Sequence, residues 1–203
     1  MKTLFIEAKS KSKVNSNKIL EISKRLPKNI AIVFSIQFKQ IAKDIKKILS
    51  KNHKITSFIQ VLGCSKPKFP KTTNAILLIG SGRFHGISLA NDIKLPIYIL
   101  EKNNLSKVTK QEVEKLQKRQ KASYLKFLNA DNIGILISTK PGQSKLKQAL
   151  NLKKQLKKKS YLFICNNINT QEFENFPIDS YINTACPRLD MDTTIINIRD
   201  IKP

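Results

Sequence analysis

Four short stretches of this sequence hold residue types that could do chemistry. Each is richer in Gly, Cys, His or Arg than the Lys-, Asn- and Ile-rich remainder. The first is Gln60–Cys64, where Gly63 permits a tight turn and Cys64 precedes Ser65, Lys66 and Pro67. A cation beside a thiol favours the thiolate, the form that binds metal or attacks; the plainer reading of a lone cysteine is a small buried residue. The second is Gly80-Ser81-Gly82-Arg83-Phe84-His85-Gly86. Its glycines let backbone N–H groups approach an anion. Arg83 can hold a carboxylate or phosphate by two parallel hydrogen bonds, and His85 can donate a hydrogen bond or move a proton. The alternative is a simple strand-to-helix turn. The third, Ser138–Gln143, repeats the plan with Lys140 as cation and Gly142 as turn residue, against the alternative of an ordinary turn. The fourth, Asn183–Arg188, sets Cys186 before Pro187 and Arg188. Proline fixes the backbone beside the thiol, and Cys-Pro is a familiar pairing among iron–sulfur ligands. Cys165, the third thiol, is followed by Asn166 and Asn167 and has no matching motif.

No Cys-x-x-Cys pair is present, which excludes a local zinc knuckle. A metal site must be assembled from cysteines distant in sequence. The Gly80–Gly86 stretch also comes near a dinucleotide fingerprint, one residue longer than the standard G-x-G-x-x-G. Glu101 follows about 20 residues later, where a ribose-binding acid would sit. This supports a nucleotide-binding alternative.

These stretches need elements to position them. Leu4–Ile6, Ile30–Phe34, Ile55–Leu62, Ala75–Ile79 and Pro96–Leu100 read as strands. Gln37–Leu49 reads as a helix with Ile41, Ile45 and Ile48–Leu49 on one stripe. A second helix, reaching about Asn91, follows Gly86. Lys107–Leu128 reads as a long polar helix with Val113, Leu116, Tyr124, Phe127 and Leu128 on one side. The alternation then restarts with strand Ile133–Ile137, helix Ser144–Leu156, and strands Tyr161–Ile164 and Tyr181–Asn183. Continuous apolar strands interleaved with helices predict mainly parallel sheets covered on both faces. The fold class is therefore α/β, with two similar lobes of mainly parallel sheet flanked by helices, over 1–105 and 106–203. The first holds Cys64 and the Gly80–His85 loop, the second Ser138–Gln143 and Cys186. All four stretches follow strands, and open α/β sheets bind ligands beyond the carboxyl ends of their strands.

The chain has 203 residues, 40% hydrophobic and 26% charged, enough apolar material for a core. Six Gly and eight Pro exclude a collagenous or linker-like chain. No apolar run approaches the ~20 residues of a membrane helix. Met1–Ala8 leads straight into a Lys-rich stretch and reads without a signal peptide. Three cysteines then predict a reducing, cytoplasmic setting. Lys and Arg number 38 against 14 Asp and Glu, a net charge of +24. That balance fits a polyanionic partner, or compositional drift of an AT-rich genome.

Taken together, Gln60–Cys64, Gly80–His85, Ser138–Gln143 and Asn183–Arg188 resemble the diphthamide synthase family, the 2-(3-amino-3-carboxypropyl)histidine synthases, in order and separation. The resemblance runs from the first strand to about Asp192. It implies a three-lobe family architecture, of which this chain corresponds to the middle and C-terminal lobes. It implies a [4Fe–4S] cluster held by one Cys from each lobe. S-adenosylmethionine binds the open iron and is reduced, and a 3-amino-3-carboxypropyl group passes to a histidine of translation elongation factor 2. On this resemblance Cys64 and Cys186 are metal ligands. Gly80, Ser81, Gly82, Arg83, His85, Lys140, Gln143 and Arg188 line the cofactor site.

The family's first lobe has no counterpart in this reading, so one cluster cysteine is missing. Three accounts follow. A separate subunit could bring the missing lobe and thiol; Cys165 or a second copy of the chain could complete the site; or the chain could be a non-catalytic accessory of a homo- or hetero-oligomeric synthase. A basic nucleotide- or RNA-binding module is the alternative outside the family. Aromatic RNA-binding signatures are lacking.

Overall fold

The computed structural model describes Leu4, Ile6 and residues 8–173, 175–189 and 195–201. Packing divides the chain into two units, Met1–Glu114 and Lys115–Pro203.

In the first unit, the apolar runs become β1 (Asn29–Phe34), β2 (Lys54–Gln60), β3 (Ala75–Ile79) and β4 (Ile97–Glu101), all parallel. A short β5 (Asn104–Lys107) turns back antiparallel to β4, through a turn in which Lys102 takes a φ of 55°. The sheet order is β2-β1-β3-β4-β5. Every residue of β3 is buried, as a wholly apolar central strand requires. On one face, α1 (Ser16–Ser23) and α2 (Lys39–Leu49) bring Ile19, Ile22, Ile41, Ile45 and Leu49 against Ile30, Ile32, Leu77 and Ile79. Helix α1 was not anticipated, although Asn15 caps it by accepting a hydrogen bond from the Lys18 N–H. Helix α3 (Phe84–Asp92) packs tightly on β4: a Cβ at Gly86 would collide with the side chain of Ile99.

The strand expected at Leu4–Ile6 is not formed by Leu4 and Ile6, which are 84% exposed and outside any strand. Phe5 lies outside the described residues. Leu4 and Ile6, left this exposed, bury too little apolar surface to offset ordering their backbone.

The long polar helix is α4 (Lys110–Asn129), and the boundary between the units falls within it. Its buried positions are Leu116, Ser123 and Phe127, seven and four residues apart, one helical stripe. Leu128, expected on that stripe, is 48% exposed because it lies about 100° around the helix from Phe127.

In the second unit, β6 (Asn132–Ser138), β7 (Lys159–Cys165), β8 (Ser180–Asn183) and a two-residue β9 (Ile196–Asn197) form a parallel sheet in the order β7-β6-β8-β9. Phe127, Ala130 and Ala149 of α5 (Leu146–Gln155) cover Ile133, Ile135, Ile137 and Ile182 on one face. The other face carries an aromatic cluster of Phe163, Phe173, Phe176 and Tyr181 around Leu136. Gly134 lets two of these rings close over the central strand, since a Cβ there would strike Tyr181. Both sheets are mainly parallel with helices on their faces, the fold class expected from the alternation of apolar strands and amphipathic helices.

Candidate functional site

A parallel sheet entered in the middle and wound outward both ways leaves a crevice where the winding reverses. In the second unit that point lies between β6, whose chain goes on to β7, and β8 on its other side. The strand-end loops at this place enclose a pocket of 380 Å³. Lys140 and Gln143 reach it from the loop after β6, Asn166–Ile168 from the loop after β7, and Cys186, Arg188 and Leu189 from the loop after β8. The structure thus brings together four residues singled out from sequence: Lys140, Gln143, Cys186 and Arg188.

Local hydrogen bonds fix these loops. Gly142 takes a φ of 77°, closing the turn in which the Gln143 N–H donates to the Lys140 carbonyl at 3.0 Å. Ser138 Oγ accepts from the Lys140 N–H at 3.2 Å and donates to the Asn166 carbonyl at 3.2 Å, tying the loops after β6 and β7 together. The Cys186 loop is held from beneath by Asn183, which is 1% exposed. Its amide N–H groups donate to the Cys186 carbonyl at 2.8 Å and to Asn197 Oδ1 at 2.7 Å, and its Oδ1 accepts from the Ala185 N–H at 2.8 Å. Cys186 itself is half-buried and lines the pocket together with Lys140 and Arg188.

Cys165 ends β7 and packs with Phe163, Ile168 and Leu136. Burial, and then the charge of Glu172, push its thiol pKa up, so it resists becoming the thiolate that a cluster binds. Cys165 ends the edge strand β7 of its sheet, as β2, the strand that leads to Cys64, is an edge strand of the other.

In the first unit, the loops after β2 and β3 leave the same edge of a parallel sheet. Cys64 is exposed. Its neighbour Gly63 lies under the Phe84 ring: a Cβ at Gly63 would stand 2.7 Å from Phe84 Cζ and strike Cε1. Ser88 Oγ donates to the Gly63 carbonyl at 3.4 Å. The Gly80–His85 loop and the Cys64 loop are therefore in direct contact. Gly82 takes a φ of 74°, as the turn demands. His85 stacks edge-on against Phe84 at 5.1 Å.

Arg83 is bound within its own unit. Its Nε donates to Glu112 Oε1, its Nη2 to Glu112 Oε2 at 2.6 Å and to the Lys107 carbonyl at 3.1 Å, and its Nη1 to Ser106 Oγ at 3.0 Å. Four of its five N–H donors are used. Glu112 also accepts from the Thr109 N–H and hydroxyl at 2.8 and 2.9 Å, capping the start of α4. The Arg83 hydrogen bond, opposed by partial burial and helped by Thr109, lowers the Glu112 pKa to about 2.

Sequence reasoning missed Asn183 as a buried bracket, Asn166 and Asn167 as pocket walls, and Glu112. The Thr109-x-x-Glu112 capping box was a readable signal; its pairing with Arg83 was not. Among the described residues, no three of His, Cys, Asp and Glu come together as a metal site. No described helix is long and apolar enough to cross a membrane.

The family model for diphthamide synthesis proteins matches residues 1–195. A 2-(3-amino-3-carboxypropyl)histidine synthase of Pyrococcus horikoshii is 31% identical over 66% of this chain and 40% of its own length. That of Methanocaldococcus jannaschii is 29% identical over 97% of this chain and 58% of its own length. The chain thus spans about half the length of these curated relatives. Among solved structures, Dph2 from Pyrococcus horikoshii superposes with a TM-score of 0.80 at 25% identity, covering 95% of this chain and 62% of that one. The same protein with a 4Fe-4S cluster gives a TM-score of 0.77 at 26% identity, over 92% and 61%. On this match, which runs along nearly its whole length, the chain belongs to the family of diphthamide synthesis proteins.

Proposed function

We propose that this chain takes part in the first step of diphthamide biosynthesis, the iron–sulfur-dependent transfer of a 3-amino-3-carboxypropyl group from S-adenosylmethionine to a histidine of translation elongation factor 2. The observation that carries the reading is the 380 Å³ pocket at the winding reversal of the second sheet, where Cys186 is joined by Lys140, Gln143 and Arg188.

The thiols fit a cluster in donor chemistry. Cys64 is exposed in one strand-end loop and Cys186 lines a pocket in another. Soft thiolates are the ligands that iron–sulfur clusters take. We assign Cys64 and Cys186 as cluster ligands and leave Cys165 as a thiol. When bound, the cluster supplies an iron that holds S-adenosylmethionine and the electron that cleaves its C–S bond. Lys140 and Arg188 offer cations to the carboxylate of the aminocarboxypropyl group, and Gln143 offers both a donor and an acceptor. Asn183 keeps the Cys186 loop in register. Gly80–Gly82 present backbone N–H groups, while Arg83 and His85 shape that loop.

With two thiolates assigned, the third ligand of the cluster lies outside these two loops, in a further lobe or subunit of the synthase. A competing reading is a non-catalytic subunit of the synthase. One experiment separates them. The chain is reconstituted anaerobically with iron and sulfide, reduced, and given elongation factor 2 with S-adenosylmethionine labelled in its aminocarboxypropyl carbons. Label on the factor supports the catalytic reading. A loaded cluster without transfer supports the accessory one. No cluster in either the chain alone or the assembled synthase defeats both.

A further inference from the structure

The Cys64 loop makes few hydrogen bonds of its own: the Leu62 N–H to Ser65 Oγ at 2.7 Å and the Ser65 N–H to the Leu62 carbonyl at 3.0 Å. Leu62 is 58% exposed and Cys64 is exposed; the last buried side chain before the turn is Val61, just after β2, whose N–H donates to the Phe34 carbonyl at 2.9 Å. What fixes it from outside is the Phe84 ring over Gly63 and the Ser88 hydroxyl on the Gly63 carbonyl. Phe84 begins α3 and directly follows Arg83. Arg83 is pinned in turn by the two carboxylate oxygens of Glu112, with Ser106 and the Lys107 carbonyl completing its coordination. Glu112 cannot swing away cheaply, because Thr109 holds Oε2 by two further hydrogen bonds.

These contacts form a continuous path within one unit. Glu112 fixes Arg83, Arg83 fixes the start of α3, and Phe84 at that start presses on the glycine beside Cys64. We infer that Glu112 is a positioning residue for the Cys64 loop, acting through Arg83 and the Phe84 ring. The inference rests on the reading of Cys64 as a cluster ligand, for which loop position matters. It also gives Arg83 a second role, since its guanidinium, largely saturated by neighbours, orients the thiol-bearing loop rather than serving only a bound anion. A bidentate Arg–carboxylate pair suits that role because it sets direction as well as distance.

The test is hydrogen exchange by mass spectrometry on the full chain, wild type against Glu112→Ala and Phe84→Leu. In Glu112→Ala, the amides of Gly80–Gly86 and of Leu62–Cys64 should exchange at least tenfold faster, while β1 in the same unit keeps its rate. Faster exchange in Gly80–Gly86 with Leu62–Cys64 unchanged overturns the inference, as does no change in either. If Glu112→Ala loosens β1 equally, Phe84→Leu decides, since it leaves the ion pair intact: Leu62–Cys64 should still speed up, and an unchanged rate overturns the inference. Iron loss to a chelator is followed in parallel. If wild type in the assembled protein takes up no iron, the ligand assignment of Cys64 fails, while exchange still decides whether Glu112 positions its loop. If wild type loads, Glu112→Ala should release iron several-fold faster, and an equal rate overturns the positioning role.

Discussion

Replacing Asn183 by Ala should loosen the Cys186 loop and cost the second unit about 3 kcal/mol. The figure comes from three hydrogen bonds at about 1 kcal/mol net each. Removing the amide takes a partner from the Cys186 carbonyl, which keeps the Leu189 N–H at 3.3 Å, from Asn197 Oδ1 and from the Ala185 N–H. Asn183 is 1% exposed, so water replaces it poorly. Ala185 and Cys186 are half-buried and recover part of the loss from solvent, which keeps each bond at the low end of the ~1–3 kcal/mol that an unsatisfied buried group costs. For a unit of this size, about 3 kcal/mol corresponds to a melting shift of roughly 12–24 °C. Exchange of the β6 and β8 amides reports the opening free energy of that unit directly. Asn183→Asp sharpens the test. It retains the acceptor for Ala185 but turns a carboxylate toward two oxygen acceptors, so its folded pKa rises above the unfolded value of about 3.9. The variant should therefore approach wild-type stability at low pH, where the protonated carboxyl can donate, and lose it as pH rises. A cost below about 1 kcal/mol for Asn183→Ala, or a pH-independent Asn183→Asp, would refute the bracket.

Other outcomes follow from the same geometry. The Glu112 pKa near 2 lies below its ordinary 4.5, so its contribution to stability is full above about pH 4.5 and is lost as pH falls through 2. Both partners are partly exposed, so screening leaves about 1–2 kcal/mol; denaturation at pH 6 against pH 2.5 should show this loss, and Glu112→Gln should flatten it. Because burial and Glu172 raise the Cys165 thiol, Cys165 should alkylate more slowly than Cys64 or Cys186 at pH 8, and Glu172→Gln should narrow the gap. Gly63→Ala puts a methyl into the Phe84 ring and should cost about 1–3 kcal/mol by overpacking, read by denaturation, with the cost reduced in Gly63→Ala/Phe84→Leu.

Much of this was legible in the sequence where physics is local. Ala75–Ile79 and Ile133–Ile137 announced themselves as buried central strands because a parallel strand covered on both faces has no polar positions. Glycines after strands located the turns at Gly82 and Gly142. The strand-end rule placed Lys140, Gln143, Cys186 and Arg188 at one edge, and they share a pocket. The failures are non-local or marginal. The hairpin to β5 depends on Lys102 accepting a positive φ, which its residue type does not advertise. Strand β9 has two residues and no pattern to read. Asn166 and Asn167 become pocket walls only because their loop crosses beside the loop after β6. The Arg83–Glu112 pair joins residues far apart in sequence, and nothing in either neighbourhood names the other.

The most direct test of the central claim is the iron content after anaerobic reconstitution of the three single Cys→Ser variants, with electron paramagnetic resonance after reduction. The account predicts that Cys64→Ser and Cys186→Ser each abolish uptake of a [4Fe–4S] cluster by the assembled protein, while Cys165→Ser loads like wild type. Loss of the cluster in Cys165→Ser, or its retention in Cys64→Ser or Cys186→Ser, would contradict the assignment.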